Sequence, residues 1–128
     1  LARDFRNGDL DGALARLRAY LAGIPYHLGS RDERGFQTKF YLIFDLLGIQ
    51  VATEFKTATG RVDAVVRSRG TTCVMEFKYG KTAAEALAQI DSKDCALPFS
   101  ADDGRVIKVG VNFSPDEQTI DDWIIQGE

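Results

Sequence analysis

The chain has 128 residues, a length that fits one domain with a single hydrophobic core, and its 45% hydrophobic and 27% charged content is ordinary for a globular protein. No apolar run approaches the ~20 residues of a membrane span, and a net charge of −3 does not by itself indicate a nucleic-acid binder. One histidine, His27, and two cysteines exclude His-rich zinc sites and a disulfide framework, so any chemistry is expected to depend on carboxylates and lysine.

Two helices are predicted in the first part of the chain. The segment DLDGALARLRAYLAG carries leucines at helical spacing, and Gly23 and Pro25 follow it as stop signals. The segment SRDERGFQTKFYLIFDLLG predicts a stronger helix, which Gly48 ends. Its apolar stripe, which we expect in the core, consists of Phe36, Phe40, Ile43, Phe44 and Leu47.

Three strands, a helix and a fourth strand follow. The segments IQVATEFKT, RVDAVVR and TCVMEFKY are typical of strands, and the turn segments ATG and SRGT separate them. The next helix begins at a capping box of Thr82 and Glu85 and ends at Pro98, before the strand VIKVGVNFS. The last segment, TIDDWII, is predicted to be either a short edge strand or a docked tail.

The order of these elements predicts an α/β fold with a mixed sheet flanked by helices. Three consecutive strands favour an antiparallel meander, and the helical crossover favours a parallel fourth strand. Because no repeat or linker interrupts the sequence, we expect residues 1–128 to form one domain. The sequence begins with Leu1 and shows no secretory signal, so we expect a fragment of a longer, cytoplasmic protein.

Charged residues stand inside the third predicted strand. Glu76 and Lys78 lie two positions apart, so both side chains point to one face of the sheet. If Arg69 and Gly70 form a two-residue turn, the hairpin register places Asp63 directly opposite Glu76. Two facing carboxylates repel each other unless a cation lies between them, and oxygen ligands favour Mg²⁺, Mn²⁺ or Ca²⁺ over zinc. The alternative is a structural salt bridge from Lys78 to either carboxylate.

The motif Asp63…Glu76-x-Lys78, within the order helix-strand-strand-strand-helix-strand, resembles the PD-(D/E)XK nuclease superfamily. The segments GRVDAVV, VMEFKYGKTAAEALAQI and VIKVGVNFS resemble the C-terminal nuclease-like domain of predicted bacterial AAA-ATPase-like proteins. This resemblance covers residues 20–125 and implies a restriction-endonuclease-like core at residues 30–114. Val62 stands where the proline of the motif name would be.

The resemblance implies a metal-dependent nuclease that acts on nucleic acid, with DNA favoured over RNA. Asp63 and Glu76 would bind Mg²⁺, for which Mn²⁺ would substitute, and the backbone carbonyl of Phe77 would be a further ligand. Lys78 would help activate the attacking water and stabilise the developing charge on phosphate. The alternative is a catalytically silent domain of the same fold that docks on an ATPase module in the full-length chain.

Two further site residues are predicted by the resemblance. Related nucleases often carry a carboxylate on the first core helix, which would be Glu33, although Ser30 and Glu33 also fit a capping box. They often place a glutamine on the helix after the lysine, followed four positions later by an aromatic residue. Gln89 stands at the first position and Lys93 at the second, so the aromatic residue is missing and a helix-surface role for Gln89 has at least equal weight.

Basic residues around the hairpin predict where a nucleic-acid backbone would pass, and the alternative is an ordinary solvated surface. Arg61 and Lys81 are the candidates nearest to the motif, and Gln89 is a third candidate for phosphate contact. The wider basic set around the hairpin and the next helix comprises Lys56, Arg61, Arg67, Arg69, Lys81 and Lys93. The sequence Gly80-Lys81-Thr82 lacks the first glycine of a phosphate-binding loop, since position 75 is Met75, and is interpreted as a turn followed by a helix cap.

Overall fold

A computed structural model describes residues 9–24, 32–47, 49–57, 60–68, 70–92 and 104–127. The helices are α1 (Leu10–Ala22), α2 (Glu33–Leu46) and α3 (Ala83–Ser92). The strands are β1 (Gln50–Thr57), β2 (Gly60–Ser68), β3 (Thr71–Tyr79), β4 (Arg105–Ser114) and β5 (Thr119–Gln126). Several positions interpreted above lie outside the described residues: Leu1, Pro25, His27, Ser30, Gly48, Arg69, Lys93 and Pro98.

The five strands form one mixed sheet in the order β1-β2-β3-β4-β5. The first three strands make an antiparallel meander, and β4 pairs with β3 in parallel after the crossover through α3. The last strand, β5, pairs antiparallel with β4. These pairings confirm the predicted α/β fold class and show that the last segment is an edge strand.

Local signals account for where α2 and α3 begin. The carboxylate of Asp32 accepts a hydrogen bond from the Gly35 N–H at 2.8 Å, so Asp32 caps α2 in place of the predicted Ser30. At α3, Thr82 Oγ1 accepts from the Glu85 N–H at 3.1 Å, which confirms the predicted cap there. The crossover helix therefore starts five residues after Lys78, close to the end of β3.

Helices cover the sheet on both faces. On one face α2 packs over β3 and β4, where Phe36 stacks on Phe113 with ring centroids 4.1 Å apart, and α1 packs against β5. The predicted stripe of phenylalanines lies in this layer and is buried. On the other face Ile90 of α3 packs with Val65 and Val74. No helix in the described ranges is long and apolar enough to cross a membrane.

Candidate active site

The hairpin of β2 and β3 has the register that the sequence predicts. Val65 lies opposite Val74 and Ala64 opposite Met75, and the backbone pairing stops at this last pair. Gly70, in the turn, has a φ of 76°, a left-handed conformation that glycine adopts without strain. The next positions in this register are Asp63 and Glu76, where the two carboxylates were expected to meet.

At Asp63 and Glu76, hydrogen bonds between side chain and backbone replace the backbone-to-backbone hydrogen bonds of the hairpin. The Asp63 N–H donates to Glu76 Oε2 at 3.3 Å, and the Phe77 N–H donates to Asp63 Oδ2 at 2.9 Å. Each carboxylate thus accepts a backbone hydrogen bond from the opposite strand. The structure therefore brings the two predicted acidic residues together and fixes both of them on the hairpin backbone.

The environment of these carboxylates is largely shielded from water. Glu76 is only 4% exposed. Burial raises the pKa of Asp63, while the Phe77 N–H, the Arg61 charge, Glu76 and Lys78 act in the opposite direction. The burial effect is the largest of these, so the pKa of Asp63 lies above its ordinary value, and a further positive charge beside it would lower that pKa.

Gln89 of α3 bridges the two charged residues of β3. Its side-chain oxygen accepts a hydrogen bond from Lys78 Nζ, and its side-chain nitrogen donates to Glu76 Oε1 at 2.7 Å. The half-buried Gln89 therefore lies at the candidate site, whereas a helix-surface position had at least equal weight from the sequence alone. Its amide orientation is set by one partner that only donates and one that only accepts.

The remaining predicted residues are placed differently. Glu33 is exposed in the first turn of α2. This helix packs on the sheet face opposite to the one that α3 covers, and Glu33 forms no metal-binding cluster with Asp63 and Glu76. The described geometry does not bring Glu33 to the two carboxylates, and its role as a fourth member of the motif stays a prediction. The ring of Phe77 packs edge-on against Phe36 in the core, and its carbonyl as a metal ligand stays a prediction.

Arg61 and Lys81 present exposed side chains near the site. Arg61 acts electrostatically on Asp63, and Lys81 follows Lys78 by three residues. Their contacts with phosphate, and that of Gln89, stay predictions. Of the wider basic set, Arg67 is also exposed, whereas Arg69 and Lys93 and the side chain of Lys56 are not described.

One residue near the site was not identified from the sequence. Asn112 lies beside Lys78 in the parallel pairing of β3 and β4 and is only 2% exposed. It accepts from the Lys81 N–H at 2.9 Å and donates to Asp121 Oδ1 at 2.9 Å, so it fixes the turn that leads into α3. The available signal was a lone amide within the apolar strand VIKVGVNFS.

The donor set fits a divalent cation. Asp63 and Glu76 offer only oxygen ligands, and each carboxylate oxygen keeps lone-pair capacity beyond its hydrogen bond. Among the described residues, no three His, Cys, Asp or Glu side chains lie close enough together to hold one metal ion. A six-coordinate ion would therefore need a backbone carbonyl and water molecules as further ligands. A cation would also favour the ionised form of the half-buried Asp63.

Comparison with known proteins agrees with this geometry. A family model described as the PD-(D/E)XK nuclease superfamily matches residues 31–123, and the chain belongs to that superfamily. Nucleases of this superfamily generally use divalent metals. The chain is also similar to a protein of Azotobacter chroococcum mcd 1 described as an uncharacterized protein in the vnfD 5′ region, with 29% identity over 125 residues. That match covers 92% of this chain and 24% of the relative, so the chain spans about a quarter of that relative's length.

Proposed function

We propose that this domain is a metal-dependent nuclease that hydrolyses phosphodiester bonds in nucleic acid, with DNA as the first substrate to test. The observation that carries the proposal is the pairing of Asp63 with Glu76 across the hairpin, with Lys78 on the same strand face. Membership in the superfamily supports nuclease activity as the general class. The metal we propose is Mg²⁺, with Mn²⁺ as a substitute.

Each residue has a separate role in this proposal. Asp63 and Glu76 would hold the ion, and their hydrogen bonds to the hairpin backbone orient the carboxylates before it binds. A divalent ion held there would supply an activated water and would neutralise charge on the phosphate. The ammonium group of Lys78 stabilises the charge that develops on the phosphate oxygens.

Gln89 fixes the lysine in this arrangement. Its oxygen accepts from Lys78 Nζ while its nitrogen is held by Glu76, so the ammonium group lies beside the proposed metal site. A lysine side chain has several rotatable bonds, and holding it in one conformation before substrate binds reduces the entropy lost at the transition state. Arg61 and Lys81 are exposed and would contact the substrate backbone.

A further partner that we propose is an AAA-ATPase-like module in a longer chain. The supporting observation is that the matched region makes up only 24% of the Azotobacter relative, which leaves room for other domains there. ATP hydrolysis by the full-length protein, measured with and without nucleic acid, tests this part of the proposal. If the full-length protein does not hydrolyse ATP, the proposal of an ATPase module is wrong, while the proposal of a nuclease site still stands.

A cleavage assay tests the nuclease. Labelled single-stranded DNA, double-stranded DNA and RNA are incubated with the protein in Mg²⁺, in Mn²⁺ and in a chelator. We expect metal-dependent cleavage that Lys78→Met lowers at least about 100-fold while metal affinity is retained. Lys108→Met is the matched control. Lys108 lies on β4, and its ammonium group forms an ion pair with Asp91 at 2.7 Å instead of contacting Gln89 as Lys78 does.

Two results would contradict the nuclease. Cleavage by Lys78→Met at the wild-type rate would refute the proposed catalytic role of Lys78. Binding of Mn²⁺ by the wild type without cleavage of any of the three substrates would favour the catalytically silent, docking domain instead.

A further inference from the structure

Helix α3 lies unusually close to β4 at Gly110. A Cβ atom built on Gly110 would lie 2.5 Å from the carbonyl oxygen of Ala83 and 2.7 Å from the backbone nitrogen of Leu87. Both atoms belong to the backbone of α3, so no side-chain rotation would relieve the contact. Any residue with a Cβ at position 110 would therefore force the helix and the strand apart.

The same strand also anchors the turn that precedes α3. The Gly80 N–H donates to the carbonyl oxygen of Phe113 at 2.9 Å, and the Lys81 N–H donates to Asn112 Oδ1 at 2.9 Å. Because these two hydrogen bonds tie the amino end of α3 to β4, the helix cannot slide along the sheet to avoid a Cβ at Gly110. It has to lift away from the sheet.

The position of α3 decides whether Gln89 reaches the site. Gln89 follows Leu87 by two residues, and Gly110 lies directly beside Glu76 in the parallel pairing of β3 and β4. This close approach of the helix to the sheet is thus next to the residue whose carboxylate accepts from Gln89. A change in this approach changes the distance between Gln89 and its two partners.

We propose that Gly110 is a positioning residue for the proposed nuclease site: by admitting α3 close to β4, it sets the reach of Gln89 to Glu76 and Lys78. This inference rests on the proposed function for its effect on rate. Its structural part, the placement of Gln89 by Gly110, does not depend on whether the protein cleaves nucleic acid.

The size of the expected displacement follows from the contact distances. The 2.5 Å contact at Ala83 is about 0.9 Å shorter than an ordinary contact of 3.4 Å. A lift of that size would lengthen the bond from Gln89 to Glu76 from 2.7 Å to about 3.6 Å, beyond hydrogen-bond range. A misplacement near 1 Å in a catalytic site lowers the rate by up to about 100-fold.

Nuclear magnetic resonance of the Gln89 side-chain amide tests the structural part. The signal is assigned with Gln89→Ala, and Gly110→Ala is compared with Gly23→Ala, where a new Cβ would meet its nearest atom at an ordinary 3.6 Å. We expect the Gln89 signal to move towards the position of a solvent-exposed amide in Gly110→Ala and to stay in place in Gly23→Ala. An unchanged Gln89 signal in folded Gly110→Ala would overturn the proposal.

A second variant covers the case in which Gly110→Ala does not fold. Ala86 of α3 is fully buried, so Ala86→Val should push the helix away from the sheet without a change in β4. The same movement of the Gln89 signal is expected, and an unmoved signal would overturn the proposal. If neither variant folds, Gly110 serves the fold alone and the proposal is wrong.

A double-mutant cycle tests the effect on rate. Gly110→Ala should lower kcat about 10- to 100-fold with KM changed less than about 3-fold. In a Gln89→Ala background the same change should lower kcat by less than about 2-fold, because its effect acts through Gln89. If the decrease in kcat of the double variant equals the product of the decreases in the two single variants, the proposal is overturned. A wild type that cleaves nothing would refute the proposed function, while the resonance measurement would still decide the placement of Gln89.

Discussion

Replacing Gln89 by alanine tests how the site holds its lysine. The change removes the hydrogen bond accepted from Lys78 and the one donated to Glu76 at 2.7 Å. A hydrogen bond to a charged group contributes about 1.5–3 kcal/mol. If the contact that holds Lys78 is lost at the transition state, this range corresponds to a decrease in kcat of about 10- to 160-fold. Glu76 also loses a donor at a position only 4% exposed, so the free energy of unfolding should fall by about 1–2 kcal/mol.

The assay is single-turnover cleavage at saturating Mg²⁺, with urea unfolding and Mn²⁺ calorimetry on the same samples. Asp91→Ala is the matched control on the same helix, because its ion pair with Lys108 is partly exposed and contributes at most about 1 kcal/mol. We expect the control to keep the wild-type rate and both variants to keep Mn²⁺ affinity within about 3-fold. A Gln89→Ala protein with the wild-type rate and the wild-type stability would refute the role assigned to the bridge.

Three further predictions concern stability and reactivity. Burial raises the pKa of Asp63 above 3.8, so its ionisation should lower stability as pH rises from 3.8 through the raised pKa; urea unfolding of metal-free Asp63→Asn should lack this decline, and an equal decline in both proteins would contradict it. Phe36→Ala removes a ring that is 1% exposed and stacked on Phe113, and should cost about 3–5 kcal/mol by urea unfolding, so a loss below about 1 kcal/mol would count against this packing. Burial raises the pKa of Cys73 to about 12. The other cysteine, Cys95, lies outside the described residues, so the test uses a Cys95→Ser background. A thiol reagent should label this protein only after denaturation, and labelling of the native state would disprove the prediction.

The hairpin could be predicted from the sequence because its signals are local and mutually consistent. A strand alternates its side chains with a period of two, and the short turn at Gly70 fixes the register, so the facing of Asp63 and Glu76 follows from counting residues. The parallel pairing of β4 could be predicted for a similar reason, since a helix between two strands favours a crossover.

The contributions of α3 and β4 to the site could not be predicted in the same way. Whether Gln89 faces Glu76 or solvent depends on the rotation of α3 and its height above the sheet. That height depends on Gly110 and on the buried amide of Asn112, which lie more than twenty residues from Gln89 in the sequence. The prediction for Glu33 had a different weakness. An acidic residue in the first turn of a helix is favoured by the helix dipole whether or not it also binds a metal, so its presence does not indicate a metal site.

The most direct test of the account compares metal-dependent cleavage by the wild type and Asp63→Asn. The asparagine oxygen can still accept from the Phe77 N–H, which Asp63 does at 2.9 Å, so the variant keeps the hairpin contact and loses only the carboxylate charge. We predict that the wild type cleaves nucleic acid in Mg²⁺ and stops on chelation, and that Asp63→Asn is slower by at least about 1,000-fold. Equal rates for the two proteins in Mg²⁺ would contradict a catalytic site at Asp63 and Glu76.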